Sequence, residues 1–204
     1  MDISTTVVDL TDPSLDSALY VACLKLRQDV FISGMNWNLS QRMGCEFDQY
    51  DTPASIHIAA VDGQSLLGCI RMIRTDHQES QVTYMILDAH LGRIPNLPAD
   101  ILSTEVREKN TWECSRLAIS HKVKREDYNS IFFLLIRAAI QYAESQGASS
   151  LLGMMDPSFE RVFKRQGINA YRFGPIKDQR DGRICVLRLD FGTESYRSKE
   201  TLAS

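Results

Sequence analysis

The second half of the chain alternates strand-like and helix-like segments. Strands and helices are predicted in the order strand, helix, strand, helix, strand, at residues 111–119, 129–146, 151–155, 156–167 and 183–191. Gly147 and Gly167 are predicted to end the two helices, because glycine readily adopts the left-handed conformation found at helix ends. Such alternation is typical of an α/β layer, so we expect a single domain with a mixed sheet flanked by helices.

The first half adds a helix and a hairpin. Asp12 can cap a helix and Pro13 fits its first turn, after which apolar side chains recur at helical spacing as far as Val30. A second stripe on this helix consists of Tyr20, Leu24, Arg27 and Phe31. That stripe either covers a site or is simply buried, with Arg27 reaching solvent. Residues 55–61 and 66–74 flank an Asp-Gly turn and are predicted to form a hairpin.

Length and composition exclude several classes of protein. The 204 residues are enough for one domain, which we place at residues 1–192, with a polar tail at 193–204. The net charge of −3 argues against a nucleic-acid-binding protein. A membrane span needs about 18 consecutive apolar residues, and none is present. The polar N-terminus lacks the pattern of a secretory signal.

The cysteines indicate a reducing compartment. Five cysteines are scattered along the chain without CxxC spacing, so we expect reduced thiols, a cytoplasmic location and no disulfide framework. The four histidines are far apart, which argues against a metal site. We therefore expect no metal and no cofactor.

The stretch from residue 26 to residue 51 is rich in charged and aromatic side chains. Arg27 can pair with a ligand carboxylate, and Phe31 and Trp37 offer aromatic faces. Three acidic residues then follow within six positions, namely Glu46, Asp48 and Asp51. They either fan out into solvent or face a cationic ligand. The combination suits a zwitterion with an additional positive charge, such as S-adenosylmethionine.

A second cluster lies on the strand at residues 111–119. Glu113 can act as a general base if it is buried or faces a cleft, and Arg116 can fix it or a substrate carboxylate. The alternative is an ordinary surface strand with an ion pair. In a regular strand these two side chains point to opposite faces, so we expect a β-bulge near Cys114 or Ser115.

These residues together resemble one enzyme family. The sequence is similar to the LuxI-type autoinducer synthases at Arg27, Phe31, Trp37, the segment Glu46-Phe47-Asp48-Gln49-Tyr50-Asp51, Gly68-Cys69-Ile70-Arg71 and Glu113-Cys114-Ser115-Arg116. The resemblance covers roughly residues 20–190 and implies a GNAT-like acyltransferase fold. It also implies acyl-homoserine-lactone synthesis from S-adenosylmethionine, as a substrate, and an acylated acyl carrier protein, with release of 5′-methylthioadenosine.

The resemblance also assigns roles to the residues. Glu113 and Glu46 are candidates for the base, with Arg116 as the third catalytic residue. The residues expected to bind the substrate are Arg27, Phe31, Trp37, Asp48, Asp51 and Arg71. The expected acyl pocket includes Ser115, Met154 and Met155. Carrier-protein docking is expected at Lys122, Lys124, Arg125, Arg161, Lys164 and Arg165, because carrier proteins are acidic.

Two other functions are compatible with such a chain. One is a GNAT N-acyltransferase that acylates another amine from acyl-CoA. Those enzymes carry a glycine-rich loop after the corresponding strand, where backbone N–H groups hold a pyrophosphate. Residues 120–127 contain no glycine, which favours a carrier protein as the donor. The other is a binding module that kept the fold, but such a module should have lost some of the charged residues.

Overall fold

A computed structural model describes residues 3–15 and 17–192 of the chain. The chain divides into two compact units. The first comprises the described residues of Met1–Ile73 together with Cys114–Ala139, and the second those of Arg74–Glu113 and Ile140–Ser204. Strand β6 and helix α3 each begin in one unit and end in the other. The predicted boundary at residue 192 stays a prediction, and the tail at 193–204 lies outside the described residues.

The first unit holds a charged site between helical and strand elements. In chain order its elements are β1 (Ile3–Asp9), α1 (Ser17–Arg27), a π-helical segment (Gln28–Gly34), β2 (Gln41–Arg42), β3 (Cys45–Glu46), β4 (Ile56–Asp62), β5 (Ser65–Arg74), the second part of β6 (Thr111–Ile119) and the first part of α3 (Tyr128–Ser145). The strand order is β1-β4-β5-β6, while β2 and β3 form a separate hairpin. β4 runs antiparallel to both β1 and β5.

The predicted hairpin is confirmed as β4 and β5. Gly63 adopts a φ of 58° in the turn, a conformation that glycine reaches without steric cost. In the antiparallel register, His57 of β4 lies between Val8 of β1 and Arg71 of β5. Cross-strand partners project from the same face of a sheet. The hairpin therefore places Arg71 and His57 side by side on one face.

Helix α1 starts later than predicted. Asp12 does not cap it, because its carboxylate accepts hydrogen bonds from the backbone and hydroxyl of Ser14 in a preceding turn. The helix begins at Ser17 and packs its Cys23 and Leu26 into an apolar cluster of the first unit. Arg27 ends the helix fully buried, so the alternative in which it reaches solvent is wrong.

The second unit contains the remaining elements. They are α2 (Met85–His90), the first part of β6, the last part of α3, β7 (Ser150–Met155), α4 (Phe159–Arg165), β8 (Asn169–Arg172), β9 (Lys177–Gln179) and β10 (Gly182–Asp190). The strand order is β6-β7-β10-β8, with β9 paired to β10. β10 is antiparallel to β7, β8 and β9.

The sheet is mixed, as predicted. The backbone N–H groups of Ser149 and Ser150 both donate to the carbonyl of Asn110, so β6 and β7 start side by side and α3 connects them as a crossover helix. Gly147 and Gly167 have φ values of 78° and 76°, which confirms both predicted helix ends. Among the described residues, no helix is long and apolar enough to cross a membrane.

Candidate active site

Three arginines and three carboxylates of the first unit form a closed ring of ion pairs. In order round the ring, the members are Arg27, Glu46, Arg116, Asp48, Arg71 and Asp51, and each contacts the one before it and the one after it. Each carboxylate thus bridges two guanidinium groups. The six formal charges cancel, and buried charges persist in proteins when they are paired in this way. We call this set the ion-pair ring.

Short hydrogen bonds hold the ring together. Arg27 donates from Nη1 and Nη2 to the two oxygens of Asp51, at 2.6 and 2.8 Å, and from Nε to Glu46 Oε2 at 2.6 Å. Arg116 donates from Nε to Glu46 Oε1 at 3.1 Å and from Nη2 to Asp48 Oδ2 at 2.8 Å. Paired N–H···O bonds fix the orientation of a guanidinium plane as well as its position. The chain's own carboxylates therefore orient these arginines.

The loop at residues 46–51 shapes the acidic side of the ring. Tyr50 N–H donates to Asp48 Oδ1 at 2.9 Å, and Asp48 N–H donates to Asp51 Oδ2 at 2.9 Å. Such short-range bonds are typical of aspartates in turns. Arg71 Nη1 lies 2.5 Å from Asp48 Oδ1 and 3.1 Å from Asp51 Oδ1, and its guanidinium stands 5.5 Å from the Tyr50 ring centroid. The alternative in which all three carboxylates fan out into solvent is wrong, because Glu46 and Asp51 are buried.

The ring is open to solvent at one edge. The side chains of Arg27, Glu46, Arg71 and Asp51 are 0% exposed. Arg116 is 11% exposed and Asp48 is 9% exposed. A ligand that approaches from solvent would therefore meet Arg116 and Asp48 first, with the buried members behind them.

Mutual attraction keeps Asp51 and Arg27 charged. Burial alone would raise the pKa of Asp51, but hydrogen bonds from Arg27 and the charges of Arg71 and Arg27 hold that pKa far below its ordinary value. Burial works against the charge of Arg27 as well, and the hydrogen bond and charge of Asp51 nevertheless raise the pKa of Arg27. Both groups stay ionised across the physiological range.

An aromatic stack extends from the open edge of the ring. The guanidinium of Arg116 lies 6.0 Å from the Phe31 ring centroid, and Trp37 stacks on Phe31 with centroids 5.3 Å apart and planes at 8°. The π-helical segment after Arg27 carries Phe31, and Trp37 N–H donates to the Phe31 carbonyl at 2.9 Å. π-helical turns are rare and often occur at functional sites. Trp37 is 37% exposed, so the stack leads from the ring to solvent.

Strand β6 is irregular at Arg116. This residue has a φ of 54°, a conformation that only a few per cent of non-glycine residues adopt. Ser115 accepts a hydrogen bond from Arg71 Nε at 3.2 Å, while its neighbour Arg116 also reaches the ring. Consecutive residues of a regular strand point to opposite faces. The positive φ therefore turns Arg116 towards the carboxylates, and the predicted β-bulge near Cys114 or Ser115 stays a prediction.

Glu113 belongs to the second unit and is fully buried there. Its Oε2 accepts a hydrogen bond from the backbone N–H of Ile86 at 2.8 Å, at the start of α2. Tyr84 lies nearby, and burial together with the charge of Glu113 raises the pKa of its hydroxyl. The alternative of an ordinary exposed strand is wrong for this position. The role of Glu113 as a base stays a prediction.

The residues predicted for the acyl pocket fall in different units. Ser115 lies in the first unit, where it is nearly buried and bonded to Arg71. Met154 and Met155 lie on β7 in the second unit, partly buried, opposite Val186 and Cys185 of β10. That these residues line one pocket stays a prediction.

The basic residues predicted for carrier docking are all exposed. Lys122, Lys124 and Arg125 follow β6 in the first unit, and Arg161, Lys164 and Arg165 lie on α4 in the second. On α4, Glu160 accepts a bond from Lys164 at 2.7 Å and another from Arg172 at 2.9 Å. Arg161 also lines a surface cavity of about 360 Å³ with Arg172 and Arg183. One acidic residue therefore neutralises part of this face.

One residue of the site, His57, was missed in the sequence, whereas its neighbour Tyr20 belongs to the second stripe of α1. His57 is fully buried with Nε2 3.7 Å from Asp51 Oδ1, and Tyr20 packs edge-on against it with centroids 5.1 Å apart. The available signal was a single histidine in the otherwise apolar strand 56–61. The described residues contain no group of His, Cys, Asp and Glu side chains suited to a metal ion. None of the five cysteines forms a disulfide.

Comparison with known proteins identifies the family. The family model of the autoinducer synthases matches residues 15–198, nearly the whole chain. An acyl-homoserine-lactone synthase of Vibrio anguillarum is 26% identical over 203 residues, which cover 96% of this chain and 98% of that protein. One from Pseudomonas aeruginosa is 29% identical over 175 residues, covering 83% and 79%.

Solved structures agree on the fold. The AHL synthase LasI has a TM-score of 0.74 at 21% identity, covering 92% of this chain and 89% of its own. TofI, in a ternary complex with an inhibitor and MTA, has a TM-score of 0.73 at 23% identity, covering 95% of both chains. The CoA-dependent synthase BjaI, with SAM and isopentyl-CoA, has a TM-score of 0.73 at 18% identity, covering 96% and 87%. The predicted GNAT-like fold is confirmed, and the chain belongs to the autoinducer synthase family, the LuxI-type acyl-homoserine-lactone synthases, as an acyltransferase of that family.

Proposed function

We propose that the enzyme makes an N-acyl-L-homoserine lactone from S-adenosylmethionine and an acylated acyl carrier protein, with release of 5′-methylthioadenosine. The observation that carries this proposal is the ion-pair ring with its open edge beside the aromatic stack. S-adenosylmethionine has an ammonium, a carboxylate, a sulfonium and an adenine. Asp48 suits the ammonium, Arg116 suits the carboxylate, and the Phe31–Trp37 stack suits the purine or the sulfonium.

The chemistry requires two bond exchanges. The amine of S-adenosylmethionine attacks the thioester carbonyl, the carbon–sulfur bond of the thioester breaks, and the carrier leaves as a thiol. The ligand's carboxylate oxygen then attacks Cγ and closes the lactone. The Cγ–sulfur bond breaks, its electron pair neutralises the sulfonium, and 5′-methylthioadenosine leaves. The ammonium must first lose a proton, so a carboxylate base is required.

Glu113 is the better candidate for that base. Both oxygens of Glu46 already accept hydrogen bonds from guanidinium groups, those of Arg27 and Arg116. Glu113 is buried in the second unit, where its Oε2 accepts a hydrogen bond from the neutral backbone N–H of Ile86. A carboxylate in such surroundings can be tuned towards proton transfer. Glu46 is then a structural member of the ring that orients Arg27 and Arg116.

The ring members differ in exposure, and we assign them different roles accordingly. Arg116 and Asp48 at the open edge would contact the substrate, while Arg27, Arg71 and Asp51 would hold them in place. Precise orientation matters here, because the carboxylate and Cγ of one ligand must meet. We expect Arg27→Ala and Asp48→Asn each to lower lactone synthesis by about 10²-fold or more, as for loss of a positioning residue.

An acyl carrier protein is proposed as the donor. Residues 120–127 contain no glycine, which disfavours a CoA site there. The exposed basic residues on the loop after β6 and on α4 favour an acidic protein partner. The CoA-dependent relative BjaI makes acyl-CoA the competing donor. The reaction is assigned to the cytoplasm, in keeping with cysteines that form no disulfide.

The acyl pocket is proposed to contain Ser115, Met154 and Met155. Residues 153–155 of β7 carry no hydroxyl, and methionine lines an adaptable apolar channel. A buried 3-oxo group without a donor would cost about 1–3 kcal/mol. The enzyme is therefore proposed to prefer acyl chains without a 3-oxo group.

One assay tests the substrates directly. The purified enzyme is incubated with S-adenosylmethionine and either acyl carrier protein charged with mixed chains or the matching acyl-CoA mixture. Mass spectrometry then follows lactone and 5′-methylthioadenosine. The proposal requires both products in equal amounts and faster turnover with the carrier. An acylated amine without 5′-methylthioadenosine would instead identify a GNAT N-acyltransferase. Faster turnover with acyl-CoA than with the carrier would identify acyl-CoA as the donor.

A further inference from the structure

His57 lies directly behind the ion-pair ring. It occupies the middle of β4, where its cross-strand neighbours are Val8 on one side and Arg71 on the other. Its side chain is 0% exposed, and Nε2 is 3.7 Å from Asp51 Oδ1. Asp51 is the carboxylate that joins Arg27 to Arg71. His57 therefore lies next to the buried carboxylate that pairs with both arginines.

The imidazole has no partner of its own in this structure. No described residue hydrogen-bonds either ring nitrogen, and the same holds for the buried hydroxyl of Tyr20, whose ring packs edge-on against His57. Buried polar atoms in proteins are nearly always hydrogen-bonded. An unsatisfied pair of nitrogens beside a carboxylate therefore calls for a physical reason.

The surroundings keep this imidazole neutral. Burial is the main cause, and it lowers the pKa of His57 to about 3. The charged groups that face it are Asp51 and Asp48, which favour protonation, and Arg27 and Arg71, which oppose it. Tyr20 covers it from α1, and its own pKa is raised to about 12 by burial and by the charge of Asp51. A neutral imidazole has one N–H donor and one acceptor.

Asp51 is the carboxylate that approaches the imidazole ring, with Nε2 just beyond hydrogen-bonding distance from Oδ1. Hydrogen bonds in ligand-free sites are often long and tighten when the substrate is bound. Asp51 Oδ1 also faces Arg27 Nη1 and Arg71 Nη1. A donor behind this oxygen would fix its position between the two guanidinium groups.

We propose that His57 is a positioning residue for Asp51, in which the neutral imidazole donates from Nε2 to Oδ1 and so sets the spacing of Arg27 and Arg71. The imidazole does not contact substrate. It acts through Asp51 on the arginines that hold the open edge of the ring in place. The proposal rests on the proposed function in that the ring binds S-adenosylmethionine.

Two substitutions of equal length test the proposal. His57→Gln keeps an N–H donor near the position of Nε2, whereas His57→Met has an unbranched side chain of the same length as glutamine and no donor. We expect His57→Met to lower kcat/KM for S-adenosylmethionine about tenfold, as for a small displacement of an orienting group. His57→Gln should stay within about threefold of the parent enzyme. The KM for the acyl carrier protein should be unchanged in both.

The order of the two variants separates positioning from a structural role. An apolar methionine suits a buried strand at least as well as glutamine does, so the melting temperature of His57→Met should equal or exceed that of His57→Gln. The kcat/KM of His57→Gln should nevertheless be the higher of the two. If activity follows melting temperature instead, or if both variants match the parent enzyme in kcat/KM, His57 is only a core residue and the proposal is overturned.

A nuclear magnetic resonance experiment tests the contact between His57 Nε2 and Asp51 without relying on enzyme activity. In protein labelled with ¹⁵N-histidine, the imidazole signals that disappear in His57→Gln belong to His57. We expect a neutral ring protonated at Nε2 at pH 7. A ring protonated at Nδ1 or a charged ring would overturn the proposal. A parent enzyme that makes no lactone would refute the proposed function and leave this readout intact.

Discussion

Arg27 and Asp51 form a bidentate ion pair with nitrogen–oxygen distances of 2.6 and 2.8 Å, and both side chains are fully buried. Charges removed from water are costly, and they stabilise a protein only when partners and hydrogen bonds replace the lost hydration. Here the pair is one side of a closed ring, so that loss of either partner leaves a buried charge without compensation. Stability and substrate binding are consequently linked in this part of the molecule.

Asp51→Asn should destabilise the protein severely. The substitution leaves Arg27 with one charged partner fewer in a buried site, and breaking a buried pair in this way typically costs about 3–5 kcal/mol. Urea unfolding gives the change in free energy of unfolding. Asp76→Asn is a matched control, because the Arg74–Asp76 pair has a similar 2.7 Å contact but is solvent-exposed. That control should cost at most about 1 kcal/mol, and equal losses in both variants would contradict the prediction.

Glu113→Gln should abolish most of the activity without unfolding the protein. The amide oxygen can still accept the hydrogen bond from Ile86 N–H, while the basic carboxylate is lost. We expect kcat to fall by about 10²-fold or more, with little change in the KM for S-adenosylmethionine. Initial rates measured alongside urea unfolding check both parts. Turnover near that of the parent enzyme in a folded variant would remove Glu113 from this role and leave Glu46.

The order of helices and strands was readable from local patterns. Apolar periodicity and well-placed glycines predicted the β4–β5 hairpin, β6, α3, β7, α4 and β10 to within a few residues. β1 was missed because it is an edge strand with one buried side chain, Val8, among exposed polar residues. Its partner is β4, about 50 residues away, so that pairing depends on tertiary structure.

The members of the ion-pair ring were predicted, but their pairing was not. The motif places Glu46, Asp48 and Asp51 close together, yet nothing in it says that each bridges two arginines. Those contacts span from 19 to 70 positions along the chain. His57 was overlooked because one histidine in an apolar strand is indistinguishable from a core residue until its neighbours are known. Long-range contacts of this kind follow from the fold and not from local spacing.

Carrier docking should respond to charge on α4 in both directions. Reversing Lys164 and Arg165 to Glu should raise the KM for the acyl carrier protein and leave that for S-adenosylmethionine nearly unchanged. Glu160→Gln should do the opposite, because Glu160 neutralises Lys164 and Arg172. Steady-state kinetics at low and moderate salt measure both effects, and added salt should reduce them. Equal changes in the KM of both substrates would indicate general damage instead of lost docking.

The acyl chain preference should depend on a hydroxyl at β7. The parent enzyme should prefer an unsubstituted chain over the matched 3-oxo chain in a competition assay. Met154→Thr should shift that preference towards the 3-oxo chain by about fivefold, since one hydrogen bond is worth about 1 kcal/mol. Met154→Val is the matched control without a hydroxyl. A clear excess of 3-oxo product from the parent enzyme would point to another donor, for which the Ser115 hydroxyl is the first candidate.

The pH dependence of stability should report the buried histidine. The pKa of His57 is about 3 in the folded protein and 6.5 for an ordinary histidine, so the unfolded chain binds the additional proton between these values. Its contribution to stability is therefore complete above pH 6.5 and is lost progressively as the pH falls towards 3. At pH 5 the loss is about 2 kcal/mol.

The measurement is the free energy of unfolding in urea at pH 7.5 and pH 5.0, for the parent protein and for His57→Gln. Glutamine does not titrate, so the variant should lose about 2 kcal/mol less than the parent protein between the two pH values. The other histidines and the carboxylates are common to both proteins and cancel in the comparison. The same pH dependence in both would mean that His57 titrates alike in the folded and unfolded chains, and that the site behind Asp51 admits a charged imidazole.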